Sequence, residues 1–380
     1  MKTYKIITLG ASGAGKTVFL ASMFKALSIQ GDYTFFLEVE DQTKRKRLNA
    51  TYTQVITGDN WPQGTKYSDV SEWTFNCRVK VPTLETYTAC QFTYFDYAGG
   101  RLTDSEDDVE FANIVQQSST ILGLLDGQKI YSLMKGNNDL AVDIFLNKDL
   151  PNILKWMHMS KVPIHFVISK WDLIEDEFSL TQIRERLLKI PQFEKLIHLR
   201  NQANSPVRLI PVSSIGSGFA IPQPDGSMKK ISGAVPQPFQ VEVPLACVLP
   251  DGLQARLSEL KEKQEEIGKT AKNKPNIFSS VLGLVGKATQ ISIAVAAWFL
   301  PPEFQFEQAL LYKLSEGIGF GLEGREKTSI EREEKLNQER NASLKLVKDE
   351  ETALMHAVDN FAVIQNNLER YFPDSELILT

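Results

Sequence analysis

The sequence predicts an α/β domain over residues 1–250, with a mostly parallel sheet and helices on both faces, followed by an α-helical module over 251–380. Three observations carry that division. Up to about residue 215, short apolar runs alternate with segments of helical period, the pattern of strands joined by crossover helices. Residues 216–250 are rich in proline and glycine (Pro222, Pro224, Gly226, Gly233, Pro236, Pro238, Pro244), which reads as surface loops and turns. Beyond them, Leu253, Leu257, Leu260 and Ile267 recur at the spacing of a helix that buries one face.

The elements follow in order. Tyr4–Leu9 is an apolar run and the first strand; Lys16–Ser28 has helical period. Thr34–Glu40 reads as a strand and Asp41–Ile56 as a helix. Trp73–Val81 and Thr88–Phe95, separated by Pro82 and a short turn, read as an antiparallel hairpin that leaves mixed pairing at one edge of the sheet. Asp107–Ser118, Asp139–Met159 (interrupted before Pro151) and Leu180–Leu188 are helices, and Thr120–Leu125, Ile164–Ser169 and Val207–Val212 are strands. Thr328–Tyr371 reads as one long charged helix, in which Leu344, Val347, Leu354, Val358, Phe361 and Leu368 take six of eight positions spaced three and four apart, with Glu351 and Gln365 in the other two. A helical hairpin or short coiled coil is the expected consequence.

Composition narrows the function classes. The net charge is −5 with 23% charged residues, so no nucleic-acid partner is expected. Three scattered cysteines, Cys77, Cys90 and Cys247, have no metal-binding spacing and suit a reducing compartment. The four histidines likewise show no metal pattern. Met1–Lys5 run straight into the first strand, leaving no room for a signal peptide, and a cytoplasmic location is expected. The basic run Lys44–Arg47 lies in a helix and reads as a solvated face, with an acidic partner or a lipid surface as the alternative.

The chemistry begins at Gly10-Ala11-Ser12-Gly13-Ala14-Gly15-Lys16-Thr17, a G-x-x-x-x-G-K-T loop between a strand and a helix, with Val18 opening the helix. Its glycines let successive backbone N–H groups and the helix N-terminus face phosphates; Lys16 adds a cation there and Thr17 a hydroxyl for Mg²⁺. A second motif, Asp96-Tyr97-Ala98-Gly99, closes a strand, placing a carboxylate for the Mg²⁺ shell and a glycine N–H for the γ-phosphate. A third, Ser169-Lys170-Trp171-Asp172, also closes a strand: Asp172 would accept from the N1 and N2 donors of guanine, which adenine lacks, with the Lys170 stem over the base. Ser213 and Ser214, after the last strand, would form a further loop beside the base.

In order and spacing, these four elements resemble the TRAFAC class of P-loop GTPases, the Ras-like and translation-factor-like group, over residues 1 to about 215. The resemblance implies a G domain that binds GTP or GDP with Mg²⁺. It assigns phosphate binding to Gly13, Gly15, Lys16 and Thr17, the switch to Asp96 and Gly99, and base recognition to Lys170 and Asp172. It also implies a switch threonine on Mg²⁺, for which Thr65 in Trp61-Pro62-Gln63-Gly64-Thr65 is the candidate and Thr57 an equal contender on composition. Three departures matter. Gly100 stands where such enzymes often carry the glutamine that orients the attacking water, so hydrolysis is expected to be slow or to draw on a group from a partner or another loop; Arg101, next to it, is a candidate cation. Ser169 replaces the usual Asn or Thr, weakening the brace between base loop and phosphate loop, and Ala14 does not fit the dynamin-like pattern.

Residues 277–300 are rich in Ile, Val, Leu and Ala and long enough to span a bilayer, but Lys287 near the centre argues for a buried helix or a membrane-dipping tip. The leading expectation is a GTPase switch, slow or partner-stimulated, coupled to the helical module, with a protein effector or activating partner and a homodimer as compatible associations. A membrane-associated, oligomerising GTPase peripheral to the bilayer, and a P-loop ATPase or kinase, stand as the other two readings.

Overall fold

The computed structural model describes residues 1–31, 33–64, 70–97, 109–137, 139–223, 226–256, 258 and 341–379. Thr65, Gly99, Arg101 and the apolar stretch 277–300 therefore lie outside the described residues. The chain is α/β, built on a mostly parallel seven-stranded sheet of order β2-β3-β4-β1-β5-β6-β7. The strands are β1 (Thr3–Gly10), β2 (Phe36–Glu38), β3 (Val70–Lys80), β4 (Thr86–Tyr97), β5 (Thr120–Asp126), β6 (Ile164–Ser169) and β7 (Val207–Pro211). From β4 to β7 every neighbouring pair is parallel, while β2–β3 and β3–β4 are antiparallel, as the hairpin reading expects.

Alternation along the strands feeds two cores. In β1, Ile6 packs to one face and Ile7 and Leu9 to the other. The first face is covered by α1 (Lys16–Leu27) and α2 (Gln42–Thr57); the second by α3 (Val109–Gln117), α4 (Gly127–Met134), α5 (Leu140–Ile144), α6 (Leu150–His158), α7 (Leu180–Leu188) and α8 (Pro191–Gln202). The segment expected as a helix over 139–159, interrupted before Pro151, is three pieces: α5, a π-helical turn Phe145–Asp149, and α6, whose second residue is Pro151. Proline has no N–H to donate and is tolerated in a first turn, so the register slips just ahead of it.

Two helices escaped the sequence pattern. α4 starts at a glycine but is capped by Asp126, which accepts from Gln128 N at 3.1 Å. α8 begins at Pro191 and buries Phe193, Leu196, Ile197 and Arg200, a period that was legible. Residues 216–250, expected as loops, also hold a small antiparallel pair, β8 (Ala220–Pro222) with β9 (Met228–Lys230), and one helical turn, α9 (Val243–Ala246).

The C-terminal helix requires a correction. The helix expected over 328–371 is broken within its described part: residues 341–345 are helical, then Asp349 caps a new helix, α10 (Glu350–Tyr371), in a reciprocal box with Thr352. Its apolar stripe, expected to meet another helix, meets the sheet. Phe361 packs edge-on against Phe35 (4.9 Å) and Phe92 of β4 (6.0 Å), and Leu354, Val358 and Leu368 are buried beside it. A heptad stripe only states that one face must be buried; β4 offers as apolar a partner as a helix does. Burying the Phe361 ring alone is worth roughly 2–3 kcal/mol.

Among the described residues no helix is long and apolar enough to cross a membrane. All three cysteines are free and buried.

Candidate functional site

The parallel pairing brings the carboxyl ends of β4, β1, β5, β6 and β7 to one edge of the sheet, and each motif leaves the sheet there. Open α/β sheets bind their ligands at that edge. Asp96 on β4 lies opposite Thr8 of β1; Gly10 at the end of β1 lies opposite Leu124 of β5; and Asp126 at the end of β5 lies opposite Ser169 of β6.

The loop Gly10–Thr17 is shaped by glycine where glycine is required. Gly13 (φ +84°) and Gly15 (φ +90°) sit in the left-handed region, and Gly15 is the residue that caps α1. Ser12 and Gly13 are exposed at the tip, Ala14 is buried beneath it, and Thr17 and Val18 are half-buried at the start of α1. Lys16 is buried inside the loop, its Nζ donating to Gly10 O at 2.7 Å and Ala11 O at 3.0 Å. Burial pulls its pKa below the usual lysine value, and the carboxylates of Asp96 and Asp149 oppose that shift. Asp149 lies on the π-helical turn, paired with Lys129 at 2.6 Å.

Thr17 and Asp96 line one small cleft together with Gln63, Ser71, Trp73 and Arg47. A hydroxyl and a carboxylate at one cleft match what Mg²⁺ takes from a protein when phosphates supply further ligands. Gln63 places the Trp61–Gly64 loop at the same cleft, two residues before Thr65. The rival, Thr57, does not line this cleft: it is exposed in α2 and its hydroxyl donates to Thr53 O at 2.9 Å. The loop before Thr65 is anchored from an unexpected quarter. Trp61 Nε1 donates to Met228 O at 2.5 Å, and Lys230 Nζ donates to Gly58 O at 2.6 Å and sits 4.8 Å from the Trp61 ring.

The Ser169–Asp172 loop is held more firmly than its sequence suggests. Ser169 Oγ donates to Leu125 O at 3.0 Å, bracing β6 to β5 and not to the phosphate loop. Lys170 (φ +53°) donates from Nζ to Asp126 Oδ1 at 2.8 Å, which fixes the stem expected to lie over a base. Asp172, in a 3-10 turn, accepts a short hydrogen bond from Ser213 Oγ, which in turn accepts from Gly216 N at 2.8 Å. Burial raises the Asp172 pKa above the usual carboxylate range, and the Ser213 bond opposes that. Ser213 was a weak signal in sequence; its structural part is to orient Asp172. Ser214, beside it, is half-buried.

A ring of contacts supports this loop from behind. Ser213 exchanges backbone hydrogen bonds with Phe239 (3.0 and 2.7 Å), Phe239 packs on Phe372 at 6.3 Å, and Phe372 packs edge-on against Trp171 at 6.0 Å. Phe372 caps α10, so the C-terminal helix reaches the Ser169–Asp172 loop directly. No sequence signal connects residues 171, 239 and 372. Gly127 completes the support: a Cβ there would stand 2.1 Å from Ser169 O and 3.0 Å from Lys170 O. Gly127→Ala is expected to cost about 1–3 kcal/mol and to displace the Ser169–Asp172 loop, read out as a lowered denaturant midpoint and a changed Trp171 emission.

Among the described residues no cluster of three His, Cys, Asp or Glu side chains can hold a metal ion. No protein-family model matches the chain, and no curated protein matches it in sequence.

Proposed function

We propose that the chain is a Mg²⁺-dependent GTP-binding protein that hydrolyses GTP to GDP and acts as a nucleotide switch. One observation supports this most: the glycine loop, Asp96 and the Ser169–Asp172 loop lie at the carboxyl ends of the parallel strands β1, β4 and β6 of one sheet, with Asp172 oriented by Ser213. A chance match to any one motif does not require the others to converge.

In this reading the N–H groups of Gly13, Gly15 and Lys16 bind the phosphates, and the Lys16 ammonium exchanges the carbonyls of Gly10 and Ala11 for phosphate oxygens. Thr17 and Asp96 would hold Mg²⁺, with Thr65 as the candidate third group. When bound, that ion neutralises phosphate charge. Asp172 accepts from guanine N1–H and N2–H, and Lys170, already fixed on Asp126, covers the base. Ordering of the loops around Asp96–Gly99 and Thr65 by the γ-phosphate would couple nucleotide state to the residues beyond 250 and to a protein effector or activating partner.

Calorimetry with GTP, GDP and ATP tests the assignment. GTP is expected to bind and ATP to bind at least about 100-fold more weakly, because an adenine ring leaves the half-buried Asp172 acceptor unmatched. Asp172→Asn is expected to weaken GTP by roughly 100-fold, from two charge-assisted bonds of about 1.5 kcal/mol each, while leaving ATP unchanged. Tighter ATP binding, indifferent to Asp172→Asn, would sink the guanine assignment.

A further inference from the structure

α2 carries the basic run Lys44–Arg47, and the structure sets its last member apart. The Arg47 guanidinium carbon lies 5.5 Å from the centroid of the Trp73 ring, and Arg47 lines the cleft shared by Thr17, Asp96, Gln63 and Ser71. Trp73 is buried in β3, so its ring is a fixed platform. A planar guanidinium over an aromatic face keeps its fork of N–H donors directed outward along its own plane, where an anion can take them. Helix α2 is itself packed along α1, whose first residues are Lys16 and Thr17. Arg47 is thus a cation held on a rigid support at the cleft that the nucleotide reading assigns to Mg²⁺ and the γ-phosphate.

We propose that Arg47 is a catalytic residue of this chain, contacting the γ-phosphoryl and β,γ-bridging oxygens of bound GTP during hydrolysis. The proposal rests on the reading of the site as a GTPase. In the step, the oxygen of water bonds to the γ-phosphorus and the bond from that phosphorus to the bridging oxygen breaks. The electron pair stays on the diphosphate, giving GDP and inorganic phosphate, and one proton passes to solvent. Arg47 remains protonated throughout and offsets the negative charge that grows on the bridging oxygen, so it acts more strongly in the transition state than in the ground state.

Single-turnover GTP hydrolysis by the full chain tests this, with GDP affinity by calorimetry and the thermal midpoint measured on the same samples. Arg47 is exposed, so its substitution leaves the core intact. Arg47→Ala is expected to slow hydrolysis by about 100-fold, the scale of one lost transition-state donor, with GDP affinity and thermal midpoint unchanged. Arg47→Lys should recover part of the rate, since it restores the charge without the fork. Unchanged hydrolysis in Arg47→Ala overturns the proposal, as does a rate loss matched by equal losses in GDP affinity and thermal midpoint. A wild-type chain that binds GTP without hydrolysing it overturns the proposal and leaves the binding reading standing. A wild-type chain that binds no guanine nucleotide overturns that reading itself.

Discussion

Arg208→Met is expected to destabilise the fold by about 3–5 kcal/mol, the cost of leaving a buried charge without its partner. Arg208, on β7, is buried; its Nε and Nη2 donate to the two oxygens of Asp251 at 2.6 and 2.7 Å, and its Nη1 to Glu369 of α10 at 2.9 Å. Asp251 is fully buried as well, and accepts from His165 Nε2 of β6 at 2.8 Å and from Gln365 Nε2 of α10 at 3.2 Å. Burial by itself would raise the Asp251 pKa; the Arg208 pair and the His165 bond overcome it and hold the carboxyl at about 2, against an ordinary 3.8. A carboxylate with a depressed folded pKa contributes stability that is complete above pH 3.8 and is lost as pH falls towards 2. Urea unfolding between pH 7 and pH 2 therefore has two expected results: a wild-type acid limb in that window, and its flattening in the variant. Pairing Arg208→Met with Asp251→Leu should restore part of the loss, because no charge is then left fully buried, while His165 and Gln365 still lose their acceptor. The cluster ties the helix at 248–256 and α10, which precede and follow residues 259–340, to one sheet.

Lys16→Ala is expected to remove triphosphate binding, by at least about 100-fold, since hydrogen bonds to a charged donor are worth about 1.5–3 kcal/mol each. Calorimetry with GTP checks this, and retained affinity would mean that the glycine loop is not the site. The same substitution should not weaken the nucleotide-free fold. Burial lowers the Lys16 pKa, so the charged form is a net burden on the folded chain, and stability without nucleotide should rise as pH climbs through that lowered value. Alanine also favours the first turn of α1 more than lysine does. A higher thermal midpoint in Lys16→Ala, together with lost binding, is the signature of a residue kept for chemistry at the expense of stability.

Much of this was legible along the chain. β6 and α7 are where their apolar periods place them, because Ile164–Ser169 is buried throughout and Leu180, Ile183 and Leu187 fall on one face. The hairpin β3–β4 followed from its apolar runs and the turn at Pro82. α4 was hidden by its opening glycine, whose reason is tertiary: a side chain at 127 would collide with the carbonyl of Ser169. The break at 346–349 was hidden because the apolar stripe runs through it, with Leu344 buried before the gap, Val347 buried within it and Leu354 buried after it.

The sequence by itself determined the elements and the chemistry that each loop can offer: a glycine loop with a lysine, a strand-end carboxylate, a strand-end Lys–x–Asp. Those are local facts, set by backbone freedom, side-chain type and hydrophobic period. Only the tertiary structure decided the partners. It gave Asp172 its serine, set Phe372 behind Trp171, turned the heptad stripe of α10 onto β4, and drew Arg47 from a solvated run to the cleft of Thr17 and Asp96. Such pairings join residues as far apart in sequence as Phe92 and Phe361, and nothing in a one-dimensional period encodes which buried face or which donor meets which acceptor.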